Sequence, residues 1–311
     1  MQFGKLEKAN PFVKLCVWLA LLAVGFILVL AIILPLLVSG NVTTAASMRW
    51  ILTAQDLFVL ILPAWLAACL WSPSPARWLH VGTGMSWRTA LIAVGLMVAA
   101  MPAVNMIGAW NAQMHLPDCL HDVEAWMKQM EDANTRTTEA LLGTDTIGGL
   151  LANIGLIGLL AAIGEEMTFR GVILGMLRSD NGSPQAFSGR LPHTAIWVTA
   201  IVFSAIHIQF YGFVPRMLMG ALLGYALCWT GSLWVPVLMH FTNNAVTVVA
   251  GYIVLQKGID SIVLESFGTG QTLWLGIVSL MITVVGAWAW CQCLRRSTTI
   301  NNASSRTSIG S

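Results

Sequence analysis

The chain has 311 residues, of which 57% are hydrophobic and only 10% charged, whereas a water-soluble domain carries roughly 25% charged residues because its surface must face water. That deficit excludes a soluble globular enzyme, a disordered chain and a disulfide-stapled secreted domain, and leaves an all-α polytopic integral membrane protein. Sixteen Lys and Arg against 14 Asp and Glu give a net charge of +2, too little basic excess to attract a phosphate backbone, so nucleic acid is not an expected partner.

Apolar stretches long enough to cross a bilayer, about 20 residues each, fall at 12–38, 51–71, 89–110, 146–177, 194–213, 216–230, 233–255 and 272–294. Eight transmembrane helices are therefore expected. The first begins too late and runs too long for a cleaved signal peptide and is read as a retained span. Cytoplasmic loops are enriched in Lys and Arg. Placing the N-terminus inside puts ten of these residues inside and five outside, with Arg170 within a span. Both termini are expected in the cytoplasm, and a bacterial inner membrane is the expected location. Residues 1–145 read as N-terminal membrane helices, 146–255 as a catalytic helical core, 256–296 as a loop and final span, and 297–311 as a disordered cytoplasmic tail rich in Ser, Thr and Asn.

The long polar segment, 111–145, falls outside in this count. Leu120, Val123, Met127 and Met130 repeat in it at spacings of three and four, as one face of a helix would. A short surface helix is preferred there over a substrate gate.

Charged side chains near the middle of a bilayer cost about 2.5–3.5 kcal/mol each, so those present usually have a function. The spans contain Asp56, Glu165, Glu166, Arg170, His207 and His240, with Asn153 and Asn244 as notable amides; Asp56 is read as a span end. On a helix Glu166 and Arg170 are four apart and can form an ion pair. Glu165 points about 100° away and has no local cation, which makes it a candidate general base. His207 follows Phe203 by one turn, and His240 and Asn244 share a face. At 1.5 Å per residue, Glu165 and His207 each lie about 20 Å from the cytoplasmic boundary, but His240 only about 12 Å in, unless the Thr230-Gly231-Ser232 turn itself dips into the membrane.

These residues resemble the CAAX protease and bacteriocin-processing family of intramembrane endopeptidases, related to the Ras-converting CAAX endoprotease. Glu165, Glu166 and Arg170 match its first motif, Phe203 and His207 its second, and His240 and Asn244 its third, in order and on successive apolar segments. The resemblance covers roughly 145–250. It implies Glu165 as the main catalytic glutamate, activating water with His207, while His240 and Asn244 hold the oxyanion; Glu166 and Arg170 form a supporting pair and Phe203 packs. It further implies a membrane-associated or lipidated protein or peptide substrate, met beside membrane lipid in a cavity opening towards the cytoplasm.

Peptide hydrolysis needs a base for water and donors for the oxyanion, and both are present. No Gly-x-Ser-x-Gly elbow and no His-Glu-x-x-His zinc motif occurs. No cofactor is required, yet zinc held by Glu165, His207 and His240 stays open, since three such ligands with one free position is a catalytic zinc pattern. Gly171 with Gly175 and Gly220 with Gly224 are expected to let helices approach closely. Two other classes compete with the endopeptidase: a non-catalytic membrane partner or bacteriocin self-immunity protein, and a proton-coupled transporter, for which buried Glu and His are also apt.

Overall fold

The structure is a computed structural model and describes residues 3–40, 44–178, 191–258 and 266–307, with side chains as far as 296 in the last helix. Ten helices follow in order among these residues: α1 Pro11–Val38, α2 Ala45–Trp71, α3 Pro75–Trp78, α4 Trp87–Asn111, α5 His121–Leu142, α6 Ile147–Leu177, α7 His193–Ala205, α8 Phe213–Thr230, α9 Trp234–Lys257 and α10 Leu273–Thr307. Arg190 lies outside the described residues, as does the side chain of Arg306. The backbone of α10 stays helical to Thr307, where a disordered tail from Ser297 was expected.

Helix starts are written locally. Asn10 accepts from the Val13 amide ahead of Pro11, Thr44 from the Ser47 amide, Ser86 from the Thr89 amide and Thr146 from the Gly149 amide, each satisfying a donor that a helix N-terminus leaves free. Along α1 and α10 large apolar side chains, among them Phe26, Leu30, Ile282 and Trp288, face outward. Only an apolar solvent makes such a surface stable, so these helices border lipid.

Seven helices are long and apolar enough to cross a membrane, matching seven of the eight expected spans. The expected span 194–213 differs. Its helix, α7, has 13 residues, about 20 Å at 1.5 Å per residue, short of the roughly 30 Å hydrocarbon core. The apolar run continues beyond it, but the chain breaks at Ile206, and Ile208 takes a left-handed φ of 52°. Side chains hold the break: Ser204 Oγ donates to the Phe213 carbonyl at 2.7 Å, and Asn111 at the end of α4 bonds both the Phe210 carbonyl and the Val214 amide. The backbone groups freed by the break are thereby paired.

Two helix pairs approach closely at glycine. A Cβ on Gly224 would stand 3.0 Å from Ile196, and one on Gly220 would stand 3.3 Å from Phe203, so α8 lies against α7. Gly171 and Gly175 likewise meet Leu79 and Trp78 beside α3. The turn before α9 is buried, with Ser232 1% exposed. It sits beneath residues 80–83, whose carbonyls accept from the Leu233 amide, Ser232 Oγ and Trp234 Nε1. This covered turn brings the first half of α9 down to the level of α6.

Candidate active site

The centre of the molecule is an ion pair. Arg170 Nη1 donates to Glu166 Oε1 at 2.7 Å with both side chains fully buried, as the four-residue spacing implies. Two further contacts fix the guanidinium, which donates from Nη2 to the Gly220 carbonyl at 2.9 Å and lies 4.7 Å from the Phe203 ring centroid. Glu166 Oε1 also accepts from His240 Nδ1 at 2.8 Å. That bond sets the imidazole's orientation and turns its Nε2 towards Glu165, 3.8 Å from Oε2. Glu166 therefore links the first motif to the third.

Phe203 is the hub of the rings. Its centroid lies 5.0 Å from that of Phe169, 5.0 Å from His207 and 6.0 Å from His240, each edge to face, a preferred aromatic geometry. His207 stands just past the end of α7 rather than inside a span. Its Nδ1 donates to the Phe203 carbonyl at 2.7 Å, one of the carbonyls that a helix C-terminus leaves without an amide partner. Nε2 is left as the basic nitrogen of the neutral ring.

Helix α6 is α-helical over Ala161–Glu166, between π turns at Ile154–Leu160 and Met167–Ile173. A π turn inserts a residue and loosens the carbonyl ladder, and such turns recur at functional sites. Two neighbours take up loosened carbonyls. Asn244 Nδ2 donates to the Ile157 carbonyl at 3.1 Å, and Thr168 Oγ1 donates to the Leu60 carbonyl, in a matching π turn of α2, at 3.2 Å. One of the two amide protons of Asn244 is thus committed to α6, leaving the other free.

Glu165, His207 and Asn244 line a single cavity of about 460 Å³. Sequence reasoning missed two parts of its wall. Asp56, read as a span end, is 7% exposed and lines the cavity from α2. Asn134, Thr137, Thr138 and Leu141 close it from α5, so the surface helix covers the site as a gate would. The amphipathic repeat marked α5 as lying on something, but its polar residues gave no sign of what.

Helix α5 is fastened along its length. Glu131 accepts from the Tyr211 amide at 3.2 Å, and Glu124 accepts from the Tyr211 hydroxyl, from the Leu116 amide and from His115 Nδ1. The His115 hydrogen bond, with help from Tyr211 and Leu116, holds the Glu124 carboxyl below its usual range. At the other end buried Asn153 donates to the Leu141 carbonyl at 2.7 Å and accepts from Arg49 Nε at 3.0 Å.

Among the described residues no three His, Cys, Asp or Glu side chains form a group able to hold a metal ion. Glu165, His207 and His240 are not among such a group; in each imidazole Nδ1 is hydrogen-bonded, to the Phe203 carbonyl or to Glu166, and Nε2 is left free.

Fold and side-chain geometry together define a polytopic integral membrane protein with a buried site of acid, imidazole and amide groups. Residues 147–246, about a third of the chain, match the Rce1-like family of type II CAAX prenyl endopeptidases. The uncharacterized protein YpbD of Bacillus subtilis (strain 168) is 32% identical over 92 residues, 28% of this chain and 40% of that one. The chain thus matches about two fifths of that relative's length. No solved structure matches.

Proposed function

We propose that this protein is an intramembrane endopeptidase that hydrolyses a peptide bond of a membrane-associated or lipidated protein or peptide, using water activated by Glu165 and His207. The observation that carries this reading is the convergence of Glu165, His207 and Asn244 on one cavity, with His240 Nε2 3.8 Å from Glu165. Glu165 has no hydrogen bond or cation of its own helix to occupy it, so its carboxylate is available to take a proton from water. His207, held by the Phe203 carbonyl, accepts the water's second hydrogen at Nε2, which leaves a lone pair of the water oxygen for the substrate carbonyl.

Charge then has to be held as it develops on the carbonyl oxygen. His240 in its imidazolium form donates from Nε2 while Nδ1 stays on Glu166; with Glu165 protonated, the two positive charges of Arg170 and His240 face the negative charges of Glu166 and the oxyanion. The uncommitted Asn244 amide proton supplies a second donor. Removing one such donor typically costs about 10²–10³ in rate. The match to CAAX prenyl endopeptidases supports a prenylated peptide as one substrate class, and the membrane setting supports delivery from the bilayer.

The test compares protein termini of membranes containing wild-type protein, Glu165→Gln or His207→Ala. New termini that appear only with the wild type are expected, with either variant lowering cleavage by at least about 10²-fold. Wild-type-like cleavage by both variants would overturn the assignment, and solute uptake by vesicles bearing the wild type would favour a transporter instead.

A further inference from the structure

The hydrolytic cycle just described does not assign the group that hands a proton to the departing amine. When the C–N bond breaks, the departing nitrogen takes the electron pair and must gain a proton, because an amide anion is far too basic to leave. Glu165 has received its proton from water, and Glu166 is locked between Arg170 and His240. His207 in its Nδ1–H form presents a basic nitrogen to the cavity. His240 is engaged with Glu166 through Nδ1 and, in this reading, with the substrate oxygen through Nε2, and the second carboxyl lining the cavity is Asp56.

Its position follows from the register of two helices. α2 and α6 run parallel: Arg49 bonds Asn153 near one end, and Leu60 bonds Thr168 further along. Gly164 lets them touch, since a Cβ there would stand 3.0 Å from Leu60 Cβ. Between those two fastenings lies Asp56, one turn before Leu60, and it falls beside the turn that carries Ala161 and Glu165. Asp56 and Glu165 line the same cavity. Asp56 is 7% exposed, opens the π turn of α2, and makes no hydrogen bond or ion pair among the described residues. A carboxyl inside a membrane that neither caps a helix nor pairs with a cation has a cost and no structural return.

We propose that Asp56 is the acid of this site, facing Glu165 across the cavity and delivering the proton that lets the amine depart. The assignment rests on the hydrolytic reading above. Water adds to the carbonyl carbon and gives one proton to Glu165. As the C–N bond breaks, the Asp56 O–H proton passes to the nitrogen and leaves a carboxylate. The proton on Glu165 then returns to Asp56 through a cavity water, so that one water is consumed, one acid and one amine are released, and the site is reset. Two carboxyls with divided acid and base duties are a recurring solution in hydrolases. Here the second carboxyl comes from α2, outside the residues matched by the family model.

The experiment uses the full chain in lipid nanodiscs and two versions of one farnesylated peptide. One has its ordinary scissile amide, and the other has sulfur in place of the scissile NH. A thiolate leaves without being protonated, so an acid helps the first substrate and not the second. Asp56→Asn is expected to lose about 10²–10⁴-fold in kcat on the amide, the usual worth of general acid catalysis, while the thioester is cleaved at nearly the wild-type rate. Thioester cleavage also reports that the variant is folded. Equal losses on both substrates, or none on the amide, would overturn the role of Asp56 and leave the endopeptidase standing. Wild-type protein that cleaves neither, or Glu165→Gln that cleaves both, would overturn the hydrolytic reading and this one with it.

Discussion

Arg170→Met tests how the centre is held together. The guanidinium is 1% exposed and makes three distinct contacts: Glu166 at 2.7 Å, the Gly220 carbonyl at 2.9 Å and the Phe203 face. Removing it strands the Glu166 carboxylate, whose Oε2 already lies buried without a partner. Breaking a buried pair by deleting one member typically costs about 3–5 kcal/mol, most of it the penalty of the charge left behind. The double variant Arg170→Met with Glu166→Gln removes both charges and should recover most of that loss, because well-packed neutral replacements of buried pairs are often tolerated. Thermal unfolding in detergent, followed by tryptophan fluorescence, measures both. The single variant is expected to melt roughly 10 °C below wild type, with the double variant close to it. Peptidase activity should stay lost in the double variant, since His240 then faces an amide in place of the carboxylate that orients and charges it. A single variant as stable as the double would refute the claim that Glu166 is held as a buried charge.

Gly224→Val presses a branched side chain into Ile196, already 3.0 Å from the Cβ position; overpacking of this kind costs about 1–3 kcal/mol, and the lower melting temperature should come with weaker activity, because α7 carries Phe203 and His207. Asn153→Ala leaves Arg49 Nε and the Leu141 carbonyl without their partner, a loss of about 1–3 kcal/mol that should appear as faster hydrogen exchange in α5. Acid should release α5 from Tyr211. The Glu124 carboxyl titrates below its ordinary value in the folded protein, so its contribution is present above the unfolded value and lost as pH falls through the lowered folded one. Proteolytic nicking of α5 should therefore stay flat from neutral pH to about pH 5 and rise only in the more acid range, and in Glu124→Gln it should lose that acid-dependent rise.

Period and spacing made the helices readable. Seven apolar runs returned as helices within a few residues of their expected ends, apart from the N-terminal extension of α2 and the C-terminal extension of α10 to Thr307, and the four-residue interval placed Arg170 on Glu166. The limits of α7 were not readable, because Ile206, Ile208 and Phe210 continue its apolar run with no Gly or Pro to mark the break. What ends the helix is tertiary: the hydroxyl of Ser204 and the amide of Asn111, one of them on another helix. The bond from Glu166 to His240 was hidden for the same reason. A helical wheel shows which residues share a face, but not which face of α9 meets α6.

Asp56 illustrates the limit most sharply. From the sequence it is one carboxyl twelve residues into α2, and charge alone does not separate a site residue from a span end. The register of α2 on α6 makes the separation, and that register depends on Gly164, on the Thr168 hydroxyl and on paired π turns whose carbonyls need a neighbour. A π turn in a lone membrane helix leaves backbone groups unpaired in hydrocarbon, where each costs several kcal/mol. Two π turns on touching helices can satisfy part of that need across the contact, as Thr168 does for Leu60. The irregular backbone and the acidic pair thus belong to one feature: the contact that makes the distorted helices tolerable also brings Asp56 and Glu165 to the same cavity.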